Sequence, residues 1–169
     1  MEQVILVDES DQEIGVMEKM EAHRKGVLHR AFSVLLFNRN GELLLQRRAA
    51  HKYHSGGLWT NTCCSHPRPG ETVVVAAKRR LEEELGIRTD DLQIVNHILY
   101  KVDFDNGLTE HEYDYILKGE WNDSPVLNKE EADEYRWISI VDLVEEVNKE
   151  PEKFTYWFRY LIQHQLLSV

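Results

Sequence analysis

Residues 58–87 read LWTNTCCSHPRPGETVVVAAKRRLEEELGI, and the segment 59–86 within them decides the fold. It opens as a short apolar strand. It then passes a Cys-Cys-Ser-His-Pro turn and the breakers Pro69 and Gly70, and it ends in a helix. Thr72 is an N-cap by residue type, and Gly86 stands just past the last turn, where a left-handed cap is wanted. Val73, Ala76, Ala77, Leu81 and Leu85 recur at helical spacing. Arg80 and Glu84 are four apart and share a face. On an ordinary helix such a pair is a solvated ion pair. Here one strand, loop and helix together deliver a thiol, an imidazole, arginines and carboxylates, which is more than a packing core needs. That density points to an inward-facing site.

Working outward, residues 4–7 and 14–17 alternate about residues 8–12 and read as a strand hairpin. Residues 18–24 read as a short helical turn holding Lys19 and His23. Residues 28–38 form a strand, Asn40-Gly41 signals a hairpin turn, and residues 43–47 return as a second strand. Residues 48–57 are a polar, glycine-rich loop bearing Arg48 and Lys52. Beyond the central unit, residues 92–102 and 110–117 are strands about a turn at Asp105-Asn106-Gly107. Residues 121–131 are an acidic loop, residues 135–138 a short strand, and Ser139 caps a helix to about Asn148. Pro151 breaks it, and residues 154–167 read as a final amphipathic helix rich in aromatics. No repeat or linker interrupts residues 1–169, so the expectation is one α/β domain. Mixed strands and helices in this order predict an α/β/α sandwich with a mixed sheet.

A 169-residue chain that is 42% hydrophobic can bury a sizeable core. Its formal charge of −10 argues against non-specific nucleic-acid binding, though not against an anionic small molecule in a locally cationic pocket. The longest apolar runs, residues 73–77 and 34–37, are far too short to span a bilayer, and no basic, signal-type leader opens the chain. A cytoplasmic protein without a membrane or nucleic-acid partner, a monomer or weak homodimer, is the expectation. The two cysteines, Cys63 and Cys64, are adjacent and make no disulfide framework. On an extended segment their side chains point to opposite faces, so one thiol enters a site and the other packs. Glu110 and Glu112, two apart on a strand, likewise share one face, with His111 on the other.

The run Glu71, Arg79, Arg80, Leu81, Glu83, Glu84, Gly86 and Ile87 resembles a Nudix box. Ser65 stands at its opening glycine, and Arg80 stands where the box has a glutamate after the first arginine. Those departures point away from diphosphate hydrolysis and toward one branch of the superfamily. The stretch Trp59-Thr60-Asn61-Thr62-Cys63-Cys64-Ser65-His66-Pro67, with the Glu-x-Glu pair, resembles the type 1 isopentenyl-diphosphate isomerases, and the resemblance runs from about Val4 to about Gln163. It implies a Nudix-type sandwich and metal-dependent proton transfer that moves one double bond of a prenyl diphosphate.

Residue by residue, the resemblance implies that His23, His29, His66, Glu110 and Glu112 bind a divalent transition ion. Imidazole and carboxylate donors suit zinc, manganese or iron better than calcium. It implies magnesium at Glu84, with the main-chain carbonyl of Cys64. Glu83 is read as a surface charge. Glu112 is the implied proton-handling acid, Tyr100 its hydroxyl partner, Cys64 the group on the other face, and Trp157 the indole over the hydrocarbon. Lys19, Arg48, Lys52 and Arg80 are the implied diphosphate ligands. Arg80 or a nearby lysine is expected to lower the Cys64 pKa from about 8.5, and Cys63 is read as buried filler. The competing readings are a Nudix hydrolase of a nucleotide diphosphate derivative and a non-enzymatic Nudix-fold binding module. The first lacks a carboxylate at Arg80. The second leaves Cys64, Tyr100, Glu112 and Trp157 without a purpose.

Overall fold

The computed structural model describes residues 2–168. In chain order the elements are β1 (Gln3–Val7), β2 (Glu13–Glu18), α1 (Lys19–Lys25), β3 (His29–Phe37), β4 (Glu42–Arg48), β5 (Trp59–Thr60), β6 (Cys63–Ser65) and α2 (Val73–Leu85). They continue with β7 (Gln93–Asp103), β8 (Thr109–Glu120), β9 (Ala132–Ser139), α3 (Ile140–Lys149) and α4 (Tyr156–Gln163). The strands make one nine-stranded sheet centred on β3. β3 runs parallel to β8, with His29 opposite Glu112, and antiparallel to β6, with Ser33 opposite Cys64. β7 pairs antiparallel with β8 and sets Tyr100 opposite Glu112. β4 joins β9 and β5.

Alternation along the central strands sends side chains to two cores. Phe32, Val34 and Leu36 of β3 and Leu44 of β4 face α2 and pack with Ala76, Ala77, Leu81 and Leu85. Leu35, Leu43 and Leu45 face the other way and pack with Leu143, Phe158 and Leu161 of α3 and α4. The mixed sheet therefore lies between helical layers, as the sequence pattern predicts. No helix among the described residues is long and apolar enough to cross a membrane.

Helix α2 starts and stops where its residue types require. The Thr72 side chain accepts from the Val75 amide, and Gly86 takes φ 63° while its amide caps the last turn. A second glycine shapes the site. A Cβ on Gly56 would meet the Ala50 carbonyl oxygen at 2.5 Å, so only glycine lets the β4–β5 loop, which carries Lys52 and His54, close on itself.

His23 sits on α1, capped by Glu18, where the pattern expects a short helical turn. Two boundaries differ from the sequence pattern. Arg48 is the last residue of β4 rather than loop. The last helix spans only Tyr156–Gln163, because Thr155 caps it by accepting from the Phe158 amide, and Phe154 is instead bridged to Trp59. Aromatic periodicity alone does not reveal that cap.

Candidate active site

Four elements converge on one buried cluster. α1 supplies His23, the start of β3 His29, the residue after β6 His66, and β8 Glu110 and Glu112. All five side chains are buried. Ring centroids of His23 and His29 are 5.1 Å apart, and those of His29 and His66 5.0 Å. Glu112 Oε2 lies 3.0 Å from His66 Nε2 and 3.4 Å from His29 Nε2. The Tyr100 hydroxyl donates to Glu110 Oε1 and lies 2.9 Å from Glu112 Oε1. Tyr100 thus ties the two carboxylates together by one oxygen each.

Main-chain carbonyls hold the rings of His23 and His29. His23 Nδ1 lies 2.7 Å from the Lys19 carbonyl and His29 Nδ1 2.9 Å from that of Val27. Each Nδ1 is therefore the protonated nitrogen, and each Nε2 presents a lone pair. Those two Nε2 atoms are buried and have no hydrogen-bond partner among the described residues. An unsatisfied buried polar group costs about 1–3 kcal/mol. A divalent ion removes that cost, and the donor atoms of His23, His29, His66 and Glu112 lie within 4.8 Å of one another. The residues present fit such an ion.

Charge states follow from the packing. Burial, then the neighbouring His66, lowers His23 to about 3, so its ring is neutral at ordinary pH. Burial also pushes His29 and His66 down. His29 still ends above its usual value, because the Glu112 carboxylate lies beside its ring, whereas His66 ends below. Burial alone would raise Glu112, but the neighbouring imidazoles of His29 and His66 outweigh it and hold the carboxyl well below the usual range.

Cys64 departs from expectation. Burial first, and then the charge of Asp114, push its thiol up, not down. Arg80 is engaged elsewhere, and the groups around Cys64 Sγ are Asn61 Oδ1 at 3.1 Å and Ser33 Oγ at 3.5 Å. Cys63 is buried as expected but is more than filler. Its thiol donates to Glu84 Oε2 at 2.9 Å, and burial, then Glu84, raises its pKa well above the usual value. Asp114, next along the face of Glu110 and Glu112, is buried and bonded to Ser33 Oγ at 2.8 Å. Burial and the charge of Glu112 push its carboxyl well above the usual value.

Lys19, Arg48, Lys52 and Arg80 line one cavity together with Glu84, Cys64 and His66. They are not free cations. Lys19 pairs with Glu2 at 3.1 Å, and Lys52 and Arg80 both reach Glu131, at 2.6 and 3.1 Å. Arg80 also lies 2.9 Å from Glu83 Oε2 and 3.5 Å from Glu84 Oε2, so Glu83 braces the arginine rather than standing apart at the surface. Arg48 lies 5.2 Å over the Trp157 ring. A second cavity adjoins the first. It shares Arg48, Cys64 and His66 with it and adds Tyr100, Glu110, Glu112 and Trp157. Every site residue expected from the sequence lines one of these cavities or the imidazole cluster. Sequence reading missed His54, Asp114 and Glu131. Asp114 continues the alternation of Glu110 and Glu112, a signal that could have found it, whereas nothing in residue type or spacing marks His54 or Glu131.

Residues 27–158 match the NUDIX domain family. The isopentenyl-diphosphate Delta-isomerase of Pectobacterium atrosepticum is 50% identical over 157 residues, covering 93% of this chain and 87% of that protein. That of Burkholderia multivorans is 46% identical over 168 residues, covering 99% and 95%. Isopentenyl-diphosphate Delta-isomerase 2 of Aromatoleum aromaticum is 49% identical over 156 residues, covering 92% and 82%. Among solved structures, DR0079 from Deinococcus radiodurans gives a TM-score of 0.81 over 96% of this chain and 98% of that one, at 18% identity. The MutT protein of Methanosarcina mazei Go1 gives 0.67 over 81% and 91%, at 20% identity. At those identities the two structures establish the fold alone.

Proposed function

Since the chain belongs to the isopentenyl-diphosphate Delta-isomerase family of NUDIX-domain proteins, we propose that its two adjoining cavities convert isopentenyl diphosphate to dimethylallyl diphosphate. The observation that carries this reading is the meeting of two unlike chambers at Cys64 and His66. One is lined by four cations together with Glu2, Glu84 and Glu131, the other by Tyr100, the paired carboxylates and Trp157. A diphosphate in the first would place a five-carbon alkene in the second.

Lys19, Arg48, Lys52 and Arg80 bind the diphosphate on this reading, with magnesium held by Glu84 and the Cys64 main-chain carbonyl. Lys52 and Arg80 are held close together by Glu131, which reduces the side-chain freedom lost on binding. His23, His29, His66, Glu110 and Glu112 hold a divalent ion, manganese or zinc. When bound, that ion supplies positive charge that orients the carboxylates and tunes Glu112.

The chemistry needs a proton on the terminal alkene carbon and the loss of one from the methylene on the far side of the branched carbon. Glu112, with Tyr100, gives the first proton, and the C=C electron pair forms the new C–H bond. The tertiary cation left at the branched carbon faces the Trp157 indole, which stabilises positive charge without attacking it. Cys64 takes the second proton, and that C–H pair becomes the new double bond. The turnover leaves Glu112 ionised and Cys64 a thiol. That is the protonation state which burial and hydrogen bonding favour in the resting protein. A proton must then return from Cys64 to Glu112, by way of solvent, before the next turnover.

Proton NMR in deuterated water, with isopentenyl diphosphate, magnesium and manganese or zinc, tests the reading. Dimethylallyl diphosphate carrying solvent deuterium in a methyl group is the expected product. Unchanged substrate with the ion bound, or release of phosphate from a nucleotide diphosphate panel, would overturn it. The same reading takes residues 1–169 as one cytoplasmic domain, a monomer or weak homodimer, which light scattering and cell fractionation check.

A further inference from the structure

His54, on the loop between β4 and β5, has no role in the scheme above, yet it is built into the site. Its side chain is buried. The ring stacks on Phe104 at 4.7 Å and meets Trp157 edge-on at 5.5 Å. Nδ1 lies 3.2 Å from Ser55 Oγ, which leaves Nε2 as the inward nitrogen. That Nε2 is 2.9 Å from Glu110 Oε2. At such a separation an aligned N–H would make a hydrogen bond. His54 Nε2 nevertheless has no hydrogen-bond partner among the described residues. The nitrogen and the oxygen are close without being aimed at one another. Two ligands of one ion stand this way, roughly 3 Å apart when each is about 2.1 Å from it.

His23 Nε2 is in the same unpartnered state. The donor atoms of His23, His54 and Glu110 lie within 4.8 Å of one another, as do those of His23, His29, His66 and Glu112. The two groups share His23. Tyr100 joins them from behind by taking Oε1 of both carboxylates, which leaves each Oε2 on the imidazole side.

We propose that His54 Nε2 is a further donor to the divalent ion, so that the centre consists of His23, His29, His54, His66, Glu110 and Glu112. This rests on the reading of that cluster as a metal centre. Six protein donors match the six-coordinate preference of manganese. They leave that ion no open position for substrate. Its part is then to orient and tune Glu112, while the diphosphate is anchored in the neighbouring cavity.

The test is X-ray absorption on the manganese-loaded native protein, joined to manganese affinity measured by competition with a chromophoric chelator. Imidazole scattering from four rings is expected, falling to three in His54→Gln, with manganese bound more weakly. Glutamine keeps an N–H that can reach Glu110. If His54→Gln binds manganese as tightly as the native protein, the histidine is not a donor, and the proposal is wrong. Three imidazoles in the native spectrum would also overturn it while leaving the metal centre intact. A native protein that binds no manganese would overturn the metal centre itself. The native measurement does not depend on any variant folding.

Discussion

Cys64 and Glu112 both line the second cavity and have opposite proton preferences. Burial and Asp114 hold the thiol protonated, and His29 with His66 hold the carboxyl ionised. Thiolate is the reactive form toward alkylating agents, and each unit of upward shift removes about a factor of ten of it at neutral pH. Iodoacetamide should therefore label Cys64 of the ion-free protein at least tenfold more slowly at pH 7 than a free cysteine peptide, as read by mass spectrometry. Labelling at the free-peptide rate would mean that the thiol is not held up. In the loaded enzyme, Cys64→Ala and Glu112→Gln should each lower kcat by about 10²–10⁴-fold, the usual worth of a positioned proton donor or acceptor, while circular dichroism shows the fold kept. A fully active Cys64→Ala would remove the thiol from the mechanism. That these two residues stand at one cavity agrees with the sequence reading; their charge was not legible there. Cys64 stands near Arg80 in the chain, but the guanidinium turns to Glu83, Glu84 and Glu131, and the groups at the sulfur are Asn61 and Ser33. Such pairings join residues far apart in the chain, and spacing within one helix does not report them.

Helix α2 was the most legible element, because its cap, its stop and its apolar face are all local. Thr72, Gly86 and the Ala76–Leu81–Leu85 stripe do what their residue types dictate. The β4–β5 loop was the least legible. Its shape depends on the close approach of Gly56 to the Ala50 carbonyl, and that shape is what buries His54. At the start of α2, Glu71 accepts from Arg79 at 2.8 and 2.9 Å and ties the preceding loop to the helix. Those bonds lower the Glu71 carboxyl below its ordinary 4.5. A group depressed in the folded state adds stability above its unfolded pKa and loses it as pH falls through the folded value. Glu71→Gln should therefore melt below the native protein at pH 7. The gap should close as the pH drops below 4.5, because the native glutamate is then protonated as well. Melting curves across that range decide the matter, and a gap unchanged in acid would show that the bond, not the charge, holds the loop. Both side chains are partly exposed, so the effect at pH 7 should be of surface-pair size, about 1 kcal/mol or less.

Across the whole molecule, the site exists because a mixed sheet brings distant strands into register. His29 and Glu112 are neighbours only through the parallel pairing of β3 with β8, and Cys64 reaches the same place only because β6 lies along the other edge of β3. Local pattern gives the strands and the two-sided packing of the sandwich. It does not give that parallel pairing, which follows from how both cores close at once. The consequence is energetic as well as geometric. α1, β3, β6 and β8 each place donors at one buried point, and His23 and His29 carry nitrogens with no hydrogen-bond partner among the described residues. The ion-free fold bears that cost, so an ion that binds the folded chain and not the unfolded one should raise its stability by linkage. At a free concentration a hundred times Kd the gain is about 2.7 kcal/mol. For a chain of this size each kcal/mol moves Tm by roughly 2–4 °C, so manganese or zinc should raise Tm by about 5–11 °C, and a chelator should reverse it. The shift should vanish in a His23→Ala, His66→Ala double variant, whose cluster has lost two donors. If the native protein melts at the same temperature with and without the ion, then the buried imidazoles serve the fold in some other way. If the double variant keeps the whole shift, the ion binds elsewhere on the acidic surface.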